Sequence, residues 1–147
     1  MLTIIMATAR IGNKLLFGDT SGKLPWGHIK EDMKHFMDMT EVASGRIFAC
    51  SRSTYVTLPE AARKRLKPLV VVEDYNRLAE MADMELTEVV VLGGRKLIDS
   101  CIPAADHIMI SEIGNVEHKD SFIYLRDETV AKLSDFGQKS ICFYFNI

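Results

Sequence analysis

Two uninterrupted apolar runs, Leu69-Val70-Val71-Val72 and Val89-Val90-Val91-Leu92, constrain the fold more than any other feature of the chain. A strand with one wet face alternates apolar and polar side chains, whereas one that is apolar at every position must be covered on both faces. Such strands belong in a parallel sheet, and parallel neighbours need a crossover, usually a helix. Apolar segments at Leu2 to Ala7, Arg46 to Cys50, Pro68 to Val72, Glu88 to Leu92 and His107 to Ser111 read as strands. Helical patterns at about Lys30 to Glu41, Ser53 to Arg65, Tyr75 to Ala82 and Gly94 to Cys101 fall between them. After these, Ser121 to Leu125 and Lys139 to Ile147 are β-rich with no helix expected between them, which predicts antiparallel strands completing one edge. The reading is an α/β fold: a mixed, mostly parallel central sheet, helices on both faces and a C-terminal antiparallel edge. With no repeat or linker-like stretch, residues 1–147 are expected to form a single domain.

Charge and cysteine usage narrow the function classes. Eighteen basic against 20 acidic side chains leave a net charge of −2, with no electrostatic case for nucleic acid or an anionic membrane. No stretch approaches the ~20 apolar residues of a bilayer span, and the Met1 to Met6 segment has no basic residues ahead of it, unlike a signal peptide. The three cysteines, Cys50, Cys101 and Cys142, are far apart in apolar contexts and are expected to be buried reduced thiols. A cytoplasmic protein is the expectation. The four histidines have no metal-ligand spacing, so no metal site is expected.

Three places could carry chemistry. In the helix after residue 30, Ile29, Met33, Phe36 and Thr40 share a face, and Asp32 borders that apolar stripe. Asp32 is either a partner of the helix dipole or a carboxylate held in an apolar pocket, where it can bind a polar heterocycle and manage a proton. Gly93-Gly94 follows one expected strand and opens a helix, either as a tight turn or as bare backbone for a ligand's phosphates. Ser51-Arg52-Ser53-Thr54 sits in the same position after another strand, either as a plain helix cap or as an anion site using Arg52. Ligands of open α/β sheets bind at the carboxyl ends of strands, where both turns lie. Ahead of them, Arg10 to Lys30 carries Gly12, Gly18, Gly22, Pro25 and Gly27 with no clear element, and reads as a long loop covering a site. Leu24-Pro25-Trp26, with the only tryptophan, is its apolar anchor.

Together these pieces resemble dihydrofolate reductase, in a fixed order over nearly the whole chain. The resemblance rests on the first strand with Ala7, then Leu24-Pro25-Trp26, the series Asp32, Phe36, Thr40, and the turn with Arg52 and Thr54. Val91-Leu92-Gly93-Gly94, Ile102-Pro103-Ala104-Ala105-Asp106, Ile110-Ser111-Glu112-Ile113, Asp120-Ser121-Phe122 and Ser140-Ile141-Cys142-Phe143 continue it. It implies reduction of 7,8-dihydrofolate to tetrahydrofolate by hydride transfer from NADPH in a monomeric enzyme that also binds antifolate-type small molecules. Asp32 would hold the pterin and promote its protonation by water, supported by Trp26 through ordered water and by Ser111 directly. Leu24, Met33, Phe36 and Leu58 would clamp the rings, the carbonyls of Ile5 and Leu92 would orient the pterin, and Arg65, within the basic run Arg63 to Lys67, would grip the substrate's glutamate. Ala7, Gly18, Arg52, Ser53, Thr54, Gly93, Gly94 and Lys96 would hold the cofactor, with a cis Gly93–Gly94 peptide.

The chain departs from the family pattern in three places. Ser51 stands where the family has glycine, Ile98 where a tyrosine is common, and Glu73-Asp74 where Ser, Thr or Arg often lie near the 2′-phosphate. Carboxylates there predict a narrower preference for NADPH over NADH. Two alternatives share the fold: a related pyrimidine reductase, which would lack the Asp32, Phe36, Thr40 series, and a nucleotide-binding or structural protein without turnover.

Overall fold

The computed structural model describes residues 1–20, 24–135 and 140–146. Gly22 of the glycine-bearing stretch, and Lys139 and Ile147 of the expected last strand, lie outside the described residues. The elements in chain order are β1 (Leu2–Ile11), β2 (Lys14–Asp19), α1 (Lys30–Met39), β3 (Arg46–Cys50), α2 (Arg52–Thr57), α3 (Glu60–Arg65) and β4 (Leu69–Val71). There follow α4 (Tyr75–Ala82), β5 (Glu88–Val91), α5 (Arg95–Cys101), β6 (His107–Gly114), β7 (Phe122–Tyr124), α6 (Asp127–Asp135) and β8 (Ser140–Asn146).

β1 is central. Its first half runs parallel to β5 on one side and β6 on the other, and β5 continues through β3 to β4 with every pairing parallel. The second half of β1 pairs antiparallel with β2, and β2 with β7. The mixed, mostly parallel sheet is therefore as expected. Alternation along β1 divides the core. Leu2, Ile4 and Met6 join Val89, Val91, Leu78, Leu97, Ile98 and Leu133 on the side covered by α4, α5 and α6. Ile5 joins Phe48, Leu66 and Val90 on the other side, with Phe36 and Met39 of α1 against them. Helices thus lie on both faces, which is why Val89 to Val91 contain no polar position. The Leu69 to Val72 run does not meet the same expectation: β4 is the edge strand, Leu69 and Val70 are half-buried and Val71 is 43% exposed.

Three expectations need correction. The stretch from Arg10 is not one long loop: β1 extends to Ile11 and turns through Gly12, at φ +60, into β2. Leu15 and Leu16 are buried at 5% and 0% exposure, so burying them decides in favour of a hairpin over a loop. The expected Ser53–Arg65 helix breaks into α2 and α3 at Leu58-Pro59. Proline clashes with a helical residue before it, and Leu58 accordingly adopts φ −64, ψ 136.

The third correction concerns the C-terminal edge. A helix, α6, lies between the last two strands, and β8 runs parallel to β6 rather than antiparallel. The antiparallel part is the β2–β7 ribbon instead. α6 provides the crossover that a parallel β8 requires. Its signal was faint, with Val130 and Leu133 as its main apolar residues, although Asp127 and Glu128 favour a helix start there. None of the helices is long and apolar enough to cross a membrane, among the described residues.

The thiols are not all alike. Cys50 and Cys101 are buried, but Cys142 is exposed on β8. Burial, with the Glu73 charge adding to it, pushes the Cys50 thiol up to about 11, and burial pushes Cys101 up to about 12. The thiolate is the reactive species. At pH 8 a thiol reagent is therefore expected to label Cys142 alone in the native protein, with Cys50 and Cys101 reacting only on denaturation. Rapid native labelling of either buried thiol would contradict this.

Candidate active site

α1 starts after Ile29 with no side-chain cap, leaving Glu31 and Asp32 as the acidic groups of its first turn. Glu31 is exposed and suffices for the dipole. Asp32 does something different: it is the one buried residue of α1, at 7% exposure. Its carboxylate accepts a hydrogen bond from Ser111 on β6. Burial raises its pKa above the usual 3.8, with the Ser111 bond and the nearby His35 charge opposing in part. A buried carboxyl that keeps its proton more readily than an exposed one is suited to binding a protonated or amidine-bearing heterocycle and to managing a proton.

Apolar walls flank α1. Trp26 is buried at 7% exposure among Ala9, Leu16, Ile29, Ile113 and Phe122, with Ala7 against the same cluster. Its indole N–H is buried with no hydrogen-bond partner among the described residues, a donor that a ligand or solvent can satisfy. Ile5, Phe36 and Leu92, which the sequence placed around a ring, share one apolar cluster. Ile5 and Leu92 are brought together by register, each lying one residue past the paired Ile4 and Val91. Met33 and Leu58 are half-buried, while Leu24 is 48% exposed.

Of the basic run, Arg65 is the residue that reaches α1. Its guanidinium donates to the Thr40 carbonyl (3.2 Å) and hydroxyl (3.0 Å), fixing it at the helix's far end from Asp32. Arg63 instead lies over the Tyr55 ring at 5.3 Å.

The two turns expected to hold phosphate meet at the ends of β3 and β5. The Ser51 N–H donates to the Gly93 carbonyl (2.7 Å), and the Gly94 N–H donates to the Ser51 hydroxyl (2.9 Å). The Ser53 and Thr54 hydroxyls lie 3.1 and 3.3 Å from that of Ser51. The Gly93–Gly94 peptide is cis, as expected, and Gly93 has φ +135. A Cβ at either glycine would stand 3.3 or 3.2 Å from the Thr54 hydroxyl. Arg52 and Lys96 are exposed, and Gly18 marks a register shift in β2, open to within 4 Å.

Several residues of this region escaped the sequence reading. Ser51 was visible as a departure, but not that its hydroxyl ties the two turns together. Nor was it legible that the Glu73 carboxylate accepts the Arg52 N–H at 2.7 Å, or that Asp74 is occupied capping α4 at Asn76. His35, three residues after Asp32 on α1, could have been found from spacing alone. Thr8, whose buried hydroxyl also has no partner among the described residues, gave no sequence signal.

A family model described as dihydrofolate reductase matches residues 1–134. Among solved structures, dihydrofolate reductase from Enterococcus faecalis, complexed with NADP(H) and RAB-propyl, is similar with a TM-score of 0.65 at 22% identity. That similarity covers 86% of this chain and 77% of the other. No curated protein matches the sequence.

Proposed function

Because the chain belongs to the dihydrofolate reductase family, we propose that the cleft between α1 and the strand ends binds 7,8-dihydrofolate and carries its reduction to tetrahydrofolate with NADPH. The observation that carries this reading is the buried Asp32 carboxylate bonded to Ser111 beside the Ile5, Phe36, Leu92 wall. NADPH, when bound, supplies the hydride. The protein has to align the two rings, exclude water and place a proton.

Asp32 would accept from the amidine edge of the pterin and favour the protonated ring. Ser111 holds the carboxylate in place, and Trp26 would offer its N–H, which has no partner among the described residues. Ile5, Phe36 and Leu92 share one apolar cluster that would take the rings, with Met33, Leu58 and the exposed Leu24 completing the clamp. Arg65, already oriented by Thr40, would take the acidic tail of the substrate. The same cleft suits antifolate-type molecules with an amidine edge.

The residues present fit the cofactor. Gly93 has φ +135, which an L side chain rarely adopts, and a Cβ at either glycine would crowd the Thr54 hydroxyl. Ser53, Thr54 and the Arg52 side chain would hold its phosphates, with Lys96, Ala7 and Gly18 along its path. One continuous sheet supports a single domain, and near-balanced charge supports an enzyme that works without nucleic acid or an anionic membrane; it would act as a cytoplasmic monomer. Oxidation of NADPH on mixing the protein with dihydrofolate, followed by loss of reduced-nicotinamide absorbance, tests the activity. No dihydrofolate-dependent loss would end the proposal.

Cofactor choice is expected to turn more on Glu73, whose carboxylate sits against the backbone of Arg52, than on Asp74, which caps α4. NADPH is expected to be preferred over NADH by a modest margin. Glu73→Ser should widen that preference by about 2- to 5-fold in kcat/KM, the scale of one solvent-screened charge contact. Asp74→Ser should not. Equal widening in both variants would show that the charge acts diffusely rather than through Glu73.

A further inference from the structure

His35 lies one turn after Asp32 on α1, at the i, i+3 spacing that makes two side chains neighbours on a helix. Its imidazole is held from the other side by β8, with ring centroids 4.0 Å from Phe143 and 5.6 Å from Phe145, both tilted. β8 pairs with β6, the strand whose Ser111 holds the Asp32 carboxylate, so one piece of sheet fixes both groups. The ring's Nε2 is buried with no hydrogen-bond partner among the described residues. A phenylalanine or leucine would fill the same space without burying an unpaired nitrogen, so packing alone does not account for a histidine here.

Charge does. Histidine changes charge between about pH 5 and 8, and aromatic faces attract a cation. The groups that meet the ring from the sheet are Phe143 and Phe145 of β8, and their register partners on β6, Ser111 and Ile113, carry no charge either. On α1 itself, Glu31 and Asp38 are exposed and solvent-screened, and Asp32 is the buried acid within reach. The His35 charge acts on Asp32 in the direction that favours the ionised carboxylate.

We infer that His35 is a positioning residue for proton supply, whose charge, fixed beside Asp32 by Phe143 and Phe145, governs how readily that carboxyl holds its proton. The inference rests on Asp32 being the proton-managing group. As pH rises and the imidazole loses its charge, the carboxyl holds its proton more firmly, which spreads the Asp32 titration over a wider range than a lone acid would show.

The test follows the Asp32 carboxyl directly, by carbon NMR of aspartate-labelled protein, in the parent, His35→Phe and His35→Gln. Asp32→Asn identifies the resonance, and thermal melts confirm folding. Both His35 variants are expected to move the Asp32 titration to higher pH and to sharpen it. In parallel, kcat/KM at pH 6 relative to pH 8 should rise at least about 2-fold, because the carboxyl keeps more of its proton at pH 6, where the parent's imidazole charge would have favoured its loss. An unmoved Asp32 titration in whichever variant folds would overturn the inference and leave His35 a packing residue. If Asp32→Asn proved fully active, the functional reading of Asp32 would fail, while the NMR titration would still decide whether the two groups are coupled.

Discussion

Asp32→Asn is expected to lose about 10²- to 10⁴-fold in turnover of dihydrofolate at pH 7, the range over which a positioned acid–base group contributes. Asparagine keeps the shape and can still meet Ser111, but it cannot take up or favour a proton. Activity should recover in part at low pH, where the substrate protonates unaided. Stability should move the other way. Burial raises the Asp32 pKa above its usual 3.8, so between that value and the raised one the folded protein binds more protons than the unfolded chain. Folding stability therefore falls as pH rises through that window, and at neutral pH the buried ionised carboxylate is a net cost. Removing the charge should raise the melting temperature at pH 7 by a few degrees, the size of shift that ~1 kcal/mol produces at this chain length. A more stable and nearly inactive variant is the signature of a site residue held against the preference of the fold. Full activity at pH 7 would leave Asp32 a dipole partner and remove the mechanism.

Gly93→Ala is expected to weaken NADPH binding by at least about 10-fold and to cost ~1–3 kcal/mol of stability. At φ +135 an L side chain is strained whatever the space around it, and the added Cβ would also meet the Thr54 hydroxyl at 3.3 Å and the Phe17 ring at 3.8 Å. The hydroxyl cluster of Ser51, Ser53 and Thr54 is built on this backbone, so relieving the strain displaces the donors the phosphates would use. Gly94 has φ −86, which alanine tolerates, and its crowding is with hydroxyls that can rotate. Gly94→Ala should therefore be milder on both measures. Titration of NADPH against Trp26 fluorescence, with urea melts alongside, separates the two effects. Unchanged NADPH affinity in Gly93→Ala would show that this turn does not carry the cofactor.

The sheet's character was legible because burial on both faces writes itself into adjacent residues: Val89 to Val91 contain no polar position, and all three are fully buried. Asp32 was legible for a similar reason, since a carboxylate beside Met33 and Phe36 is incongruous on a helix whose exposed face has other acids. The series Asp32, Phe36, Thr40 singled out α1 as the helix proposed to bind substrate. In the structure Thr40 also shows why, by holding Arg65.

What sequence reading missed depends on contacts between distant segments. The hairpin β1–β2 forms because Leu15 and Leu16 find a core to enter, and α6 because Asp99 of α5 accepts from Thr129 and pairs with Arg126 at 2.8 Å. The direction of β8 follows from that helix, not from its own residues. Glu73 meeting Arg52, Ser51 bonding Gly94 across two strand ends, and His35 resting on Phe143 join residues 21, 43 and 108 positions apart. The chain by itself determined which segments are buried, where they turn and which carboxylate is out of place, because periodicity and local propensity act within a few residues. Tertiary structure alone decided which hydroxyl, carboxylate or imidazole completes each site. Hydrogen bonds and charge contacts act over a few ångströms, and only packing sets which distant side chains come that close.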